Sequence, residues 1–155
     1  MSRLIPLLFL LLFSTTAAAG DIPPASDLAA TADEAHTDGK TVVIFFYQEE
    51  CQYCETVREQ FLRPILNNDD YIRRITLRQV NTRSEASLRD FRGEATTHSR
   101  FAARRDKKLT PTIAIYGPDG SRLVEPLVGL KGGTAYYGHN LDEAIEQAEQ
   151  KLAQK

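Results

Sequence analysis

The sequence predicts an α/β fold, in which a central mixed sheet of four to five strands is flanked by helices. Two observations carry this prediction. Short runs of β-branched and aromatic residues alternate along the chain with segments of helical periodicity. The run TVVIFFY, residues 41–47, has no polar–apolar alternation, which is typical of a strand that helices bury on both faces.

Apolar periodicity and capping residues predict the N-terminal elements. Ser26 is expected to cap the first helix, and Cys51 opens a second helix whose apolar residues recur every four positions. Pro64 is expected to kink that helix or end its regular part, because proline lacks the N–H that an inner turn requires. The predicted order is a helix at about 27–36, a strand at 41–47, a helix from 51, a short helix ending at 74 and a strand at 75–80.

Turn and capping residues predict the C-terminal elements. The segment 83–94 is polar and has no clear period, so it is assigned as a solvated loop or a docking insertion. Residues 117–120, Gly-Pro-Asp-Gly, predict a hairpin turn. Asn140 and Glu143 have the spacing of a capping box at the start of the last helix. The predicted order is a helix from Thr96 or Thr97 to about 107, strands at 113–116 and 121–128, and a final helix after Asn140.

Length and composition limit the classes of function. The chain has 155 residues, of which 42% are hydrophobic and 26% charged, and its formal net charge is −2. This is enough chain for one domain, and no basic excess favours a nucleic-acid partner. The 2 cysteines are too few for a disulfide-stapled scaffold or a four-cysteine zinc site.

The first 19 residues have the pattern of a secretory signal peptide. Arg3 precedes an apolar run at residues 4–13, and Ala17-x-Ala19 fits a cleavage site. The run is shorter than the roughly 20 apolar residues that a membrane-spanning helix needs. We therefore expect an exported, periplasmic protein with a single domain at 20–155 and no stable membrane insertion after signal removal. An uncleaved N-terminal anchor is the alternative.

Cys51 and Cys54 lie at the junction between the buried strand and the second helix. A thiolate at a helix N-terminus faces unpaired N–H donors, which lower the thiol pKa from its usual value of about 8.5. Cys51 is therefore predicted to be the exposed nucleophile, and Cys54, one turn later, the buried resolving thiol. A mixed disulfide forms on Cys51 and Cys54 then releases the partner, so the redox-active disulfide needs no other cofactor.

The cysteine pair has two alternative uses. A purely structural disulfide closes a very short loop and so adds little entropic stability. A metal site needs His36, His98 or His139 as a further ligand, but these histidines lie far apart in the sequence and show no ligand spacing. No metal is therefore predicted.

Thr110 and Pro111 precede the third predicted strand and complete a set of motifs. The strand at 41–47, the C-x-x-C motif and Thr110-Pro111, in this order, resemble the thioredoxin superfamily, and within it the exported SoxW-type proteins. The resemblance implies a thioredoxin fold, a cis Pro111 and thiol–disulfide redox chemistry at Cys51 and Cys54. We also expect Thr110, Gln52, Tyr53 and Tyr47, around the motif, to bind the partner.

Several positions depart from the thioredoxin pattern. Phe45 stands where thioredoxins have a buried aspartate that accepts a proton from the second cysteine. Replacement of this aspartate by Glu49 or Glu50 through a water molecule is the alternative to their expected place at the surface beside Cys51. At the surface they oppose the helix dipole and raise the pKa of the Cys51 thiol. A strong oxidant stabilises its thiolate, so these residues favour a reductase. Tyr53 and Thr110 match isomerases of the DsbC kind, but no N-terminal dimerisation domain is expected, which disfavours an isomerase that relies on a dimeric cleft.

The expected partners are protein thiols and disulfides together with an upstream electron donor in the membrane or periplasm. The protein is expected to be a monomer that binds no nucleic acid. A non-catalytic peptide-binding module is an alternative, in which the cysteines stay locked as a disulfide. It would hold a peptide through Tyr47, Tyr53, Pro111, Tyr136 and Tyr137. A metal chaperone using Cys51, Cys54 and a histidine is a third hypothesis.

Overall fold

A computed structural model describes residues 20–130 and 132–155. The predicted signal peptide at 1–19 lies outside the described residues. The helices are α1 (Leu28–Thr37), α2 (Gln52–Val57), α3 (Arg63–Leu66), α4 (Asp69–Ile72), α5 (His98–Arg104) and α6 (Thr134–Ala153). Among the described residues, no helix is both long and apolar enough to cross a membrane.

The central sheet has four strands in the order β2-β1-β5-β6, which confirms the predicted mixed sheet. β1 (Thr41–Tyr47) pairs in parallel with β2 (Ile75–Asn81) and antiparallel with β5 (Thr112–Tyr116). β6 (Leu127–Val128) pairs antiparallel with the outer side of β5. The carboxyl ends of β1 and β2 therefore lie side by side at one end of the sheet.

β1 is buried on both faces, as its unbroken apolar run predicts. Val43 and Phe45 belong to the core cluster that α2, α3 and α6 cover. Val42, Ile44 and Phe46 belong to a second cluster, which α1 and α5 cover on the opposite face. Successive side chains of a strand point to opposite faces. When helices cover both faces, no position of the strand favours a polar side chain.

The helix that Cys51 opens runs through residues 52–66 with one irregular turn. A π-helical turn at Arg58–Leu62 separates α2 from α3, and the N–H of Arg63 donates to the carbonyl of Arg58. Pro64 follows at the start of α3 and has no N–H to donate to an earlier turn. The widened turn before Pro64 agrees with the expected end of the regular helix.

Two predicted helix caps are wrong. Asp27 rather than Ser26 caps α1, since its carboxylate accepts the N–H of Ala30 at 2.9 Å. α6 begins at Thr134, so Asn140 lies inside the helix and forms no capping box with Glu143 there. Tertiary packing holds the turns of α6 that precede Asn140, since the buried Tyr137 ring lies 4.8 Å from the ring of Phe61.

The segment expected to be a loop, 83–94, contains the first strand and the turn of a hairpin. β3 (Ser87–Arg89) and β4 (Ala95–Thr97) pair antiparallel and form a separate two-stranded sheet. Leu88 is buried against the core, and the carboxylate of Asp90 accepts two backbone N–H groups of the turn. Strands of three residues are too short to show an alternating pattern in the sequence.

The predicted strand at 121–128 is mostly irregular. Only Leu127–Val128 forms a ladder, and Arg122 adds one isolated bridge to Tyr116. Pro126 cannot donate a ladder hydrogen bond, and Leu123 and Val124 are buried in the core before it. α5 also ends earlier than expected, at Arg104, and Asp106 takes a positive φ of 54° just after it.

Candidate active site

Cys51 and Cys54 form a disulfide at the start of α2. Cys51 is the N-cap residue of this helix, and its sulfur accepts the N–H of Cys54 at 3.2 Å. Cys51 is partly exposed, whereas Cys54 is fully buried in the core beneath it. Only the Cys51 sulfur is therefore accessible to a large partner. A partner thiolate can attack this sulfur in the disulfide, and in the reduced protein this sulfur can attack a partner.

The loop that joins β1 to α2 places the pair at the carboxyl end of the central strand. Glu50 has a positive φ of 57°, an uncommon conformation for a residue other than glycine. Both Glu49 and Glu50 are exposed beside the motif. Glu49 accepts a hydrogen bond from the side-chain amide of Asn81 at 3.3 Å, so this carboxylate is directed towards the end of β2.

The loop before β5 lies against the exposed cysteine. The Thr110–Pro111 peptide bond is cis, and the Thr110 hydroxyl lies 3.9 Å from the Cys51 sulfur. Pro111 is buried, and its carbonyl accepts the N–H of Gly129 at 2.8 Å. The loop is thus fixed to the strand beside it, with Thr110 directed to the disulfide.

Apart from Ile72, which precedes the amino end of β2, the large exposed apolar side chains lie at this end of the molecule. Five large hydrophobic side chains of the described residues are exposed: Tyr53, Ile72, Leu109, Val128 and Tyr136. Tyr53 belongs to the motif itself, and Leu109 immediately precedes Thr110. Val128 and Tyr136 line one groove, of about 520 Å³, next to β6. Gln52 is exposed as well, so the surface next to Cys51 offers both apolar and amide contacts.

Two of the tyrosines assigned to partner binding have other contacts. Tyr137 is buried in the core, so it cannot contribute to a surface in this structure. Tyr47 is half-buried, and the guanidinium carbon of Arg58 lies 4.6 Å from the centre of its ring. Arg58 itself was missed by the sequence reasoning. Its spacing of four residues from Cys54, on one helix face, was the available signal.

The histidines do not gather around the cysteines. No group of three or more metal-ligating side chains occurs among the described residues. His98 is buried, and both of its ring nitrogens already have partners, the N–H of Asn81 and the carbonyl of Ala25. His36 and His139 are exposed. The hypothesis of a metal chaperone therefore gains no support from these side chains.

Comparison with known proteins places this fold and motif in a family. The family model described as a thioredoxin-like domain matches residues 28–135. The chain belongs to this thioredoxin-like domain family. The matched residues include the C-x-x-C motif, the Thr110-Pro111 loop and all four strands of the central sheet. No curated protein sequence matches the chain.

Solved structures share the thioredoxin fold with this domain. A DsbH oxidoreductase is 16% identical, with 88% of this chain and 93% of that chain covered and a TM-score of 0.56. Thioredoxin from Fasciola hepatica is 14% identical, with 82% and 99% covered and a TM-score of 0.55. Oxidised mitochondrial thioredoxin 3 from Saccharomyces cerevisiae is 16% identical, with 81% and 93% covered and a TM-score of 0.52. At these identities the likeness shows the fold alone.

A thioredoxin-like domain with a C-x-x-C disulfide supports thiol–disulfide oxidoreductase activity in general. The two sulfurs differ in exposure, as sequential attack and resolution require. The direction of electron flow and the identity of the partners are separate questions.

Proposed function

We propose that this protein is an exported thiol–disulfide oxidoreductase that reduces disulfides of periplasmic proteins through a Cys51–Cys54 dithiol–disulfide cycle. The main observation that supports this proposal is the disulfide at the first turn of α2, in which Cys51 is accessible and Cys54 is buried. The proposed location rests on the signal-peptide pattern of residues 1–19. The narrower resemblance to exported SoxW-type proteins stays a prediction.

The cycle moves two electrons to the partner in two exchange steps. In the reduced protein, the Cys51 thiolate attacks one sulfur of the partner disulfide, and the other partner sulfur leaves as a thiolate and takes a proton from water. The Cys54 thiolate then attacks Cys51, which re-forms the intramolecular disulfide and releases the second partner thiolate. A membrane or periplasmic dithiol donor reduces the Cys51–Cys54 disulfide and closes the cycle.

The local charges support the reductase direction. Glu49 and Glu50 are exposed in the loop that leads into Cys51. Negative charges near a thiolate disfavour it, and a strong oxidant depends on a heavily stabilised thiolate. An equilibrium potential measured against glutathione tests this direction. A value near the approximately −120 mV of a strong oxidant such as DsbA would rule out the reductase assignment.

Insulin reduction by dithiothreitol tests the activity itself. The wild-type protein is expected to accelerate the reaction, and Cys51→Ser is expected to lose that acceleration entirely. Thr56→Val is a suitable control, because the Thr56 hydroxyl donates to the Gln52 carbonyl within α2 and contacts neither sulfur. Acceleration that survives in Cys51→Ser would refute the assignment of Cys51 as the nucleophile. Absence of acceleration by the wild-type protein would favour the peptide-binding alternative.

A further inference from the structure

Arg58 is buried to an extent that is unusual for an arginine. Only 8% of the residue is exposed, although arginine is rarely buried unless it is paired. Its Nε has no hydrogen-bond partner within the described part of the chain. The nearest carboxylate oxygen, of Glu55, lies 3.5 Å from Nε and belongs to a side chain that is 61% exposed. The positive charge of Arg58 is thus only partly balanced.

Arg58 lies one helical turn after Cys54. Its backbone N–H donates to the carbonyl of Cys54. Because side chains of a helix lean towards the preceding turn, the Arg58 side chain extends towards the turn that contains Cys54. The guanidinium carbon lies 4.6 Å from the ring centre of Tyr47 and 5.6 Å from that of Phe45. These two rings stack on β1, and Phe45 shares the core cluster of Cys54. The cation is therefore held over two rings, one of which belongs to the core cluster that contains the buried Cys54.

The resolving step requires a Cys54 thiolate, and burial alone opposes it. Phe45 supplies no carboxylate that could accept the proton. The other titratable groups packed against this core are the phenols of Tyr47, Tyr71 and Tyr137, and burial raises the pKa of both Tyr71 and Tyr137. Glu55 on the same helix and Glu49 and Glu50 in the preceding loop are negative. Arg58 is the cation that the structure places over Phe45 in this core, and a guanidinium keeps its charge throughout the working pH range.

We propose that Arg58 is a positioning residue whose charge favours the thiolate form of Cys54 in the reduced protein and so speeds release of the partner. In that step the Cys54 thiolate attacks the Cys51 sulfur of the mixed disulfide. The bond between Cys51 and the partner breaks, and the partner leaves as a thiolate that takes a proton from water. The role in release rests on the proposed function, whereas the effect on Cys54 is measurable without turnover.

The test uses Cys51→Ser protein, in which Cys54 is the remaining cysteine of the chain. The ultraviolet absorbance of the thiolate is followed against pH in this protein and in the same protein carrying Arg58→Met. Loss of the Arg58 charge is expected to raise the midpoint of the Cys54 titration by at least about one pH unit. Below the midpoint, the thiolate fraction would then be about tenfold lower. Arg58→Lys, which keeps a charge, is expected to restore most of the change.

Arg63→Met is the matched control on the same helical run. Arg63 pairs with Glu59 at 2.9 Å, and its side chain is 38% exposed, so its removal is expected to leave the midpoint in place. Should Arg58→Met fail to fold, Arg58→Gln provides a second neutral side chain. A midpoint that moves no further in either neutral variant than in Arg63→Met would overturn the proposal. Failure of insulin reduction would not, because the titration involves no partner.

Discussion

The hydroxyl of Thr110 lies 3.9 Å from the sulfur of Cys51, although 59 positions separate the two residues in the sequence. The contact joins the loop before β5 to the first turn of α2, the two elements that the family motif brings together. In the described structure, the Cys51 sulfur receives two donors, this hydroxyl and the N–H of Cys54. Both donors stabilise negative charge on the sulfur when the disulfide is reduced.

Removal of the Thr110 hydroxyl is expected to slow the nucleophile modestly. Thr110→Val keeps the shape of the side chain and removes the donor. Because a hydrogen bond of this kind contributes about 0.5 kcal/mol, alkylation of Cys51 by iodoacetamide in the reduced protein should slow about two- to threefold below the thiolate midpoint. Thr56→Val is the control, since its hydroxyl bonds within α2. An unchanged or faster rate in Thr110→Val would contradict a role for this contact.

Loss of the resolving cysteine is expected to trap partners. Cys54→Ser keeps the exposed nucleophile Cys51 and removes the thiol that would release a mixed disulfide. Expressed with its N-terminal segment, this variant should accumulate covalent adducts that dithiothreitol dissolves, at least about tenfold above wild type. Non-reducing electrophoresis followed by mass spectrometry of the adducts gives the measurement. The double variant Cys51→Ser, Cys54→Ser is the control, and adducts that persist in it would show that Cys51 is not the attacking residue.

The sequence predicted the parts of this fold that depend on strong local patterns. TVVIFFY became the central strand with the predicted bounds, because an unbroken apolar run fits a strand buried on both faces. The unequal burial of Cys51 and Cys54 followed from their positions at the cap and in the first turn of a helix. Such features require only the residues within one element and its neighbour.

Features fixed by distant contacts were not predicted. The first turns of α6 contain two tyrosines followed by a glycine, and it is the packing of Tyr137 against Phe61 that holds these turns in the helix. The β3–β4 hairpin depends on the burial of Leu88 in the core. Arg58 becomes notable only when β1 brings Phe45 and Tyr47 beneath its guanidinium. In each case the deciding partner lies in another element, beyond the reach of a local pattern.

Acid is expected to destabilise the domain through His98. Its Nδ1 accepts the N–H of Asn81 at 3.1 Å, and its Nε2 donates to the carbonyl of Ala25 at 2.8 Å, so the bound form is the neutral imidazole. Burial lowers the pKa of His98 below its usual value near 6.5. The unfolded chain therefore binds the proton more readily than the folded one. The contribution of His98 to stability is complete above about pH 6.5 and declines as the pH falls below it.

Thermal unfolding measured between pH 7.5 and 5 tests this expectation. The wild-type melting temperature should fall with decreasing pH, and the fall should be shallower in His98→Gln, whose amide can donate and accept but does not titrate. His139→Gln is the control, because His139 is exposed on α6. Equal pH slopes in wild type and His98→Gln would show that His98 is not the titrating group.

Gly120 is expected to tolerate no side chain, for a reason beyond its backbone conformation. Its φ is +72°, and an added Cβ would lie 2.6 Å from Cβ of Phe91. Phe91 is held between the rings of Phe101 and Tyr116, so it cannot withdraw freely. Gly120→Ala should therefore lower the free energy of unfolding by about 1 kcal/mol, because alanine is strained in the left-handed region. Overpacking against Phe91 should lower it by roughly a further 1–3 kcal/mol.

Gly39→Ala separates the two costs. Gly39 has nearly the same φ, +68°, but nothing lies within 4 Å of the added Cβ. Its free energy of unfolding, measured by urea denaturation, should fall by about 1 kcal/mol only. The difference between the two variants then measures the contact with Phe91, because both carry the same backbone strain. Equal losses would mean that Phe91 moves aside without cost, and that the hairpin turn does not need the close approach of Gly120 to this ring.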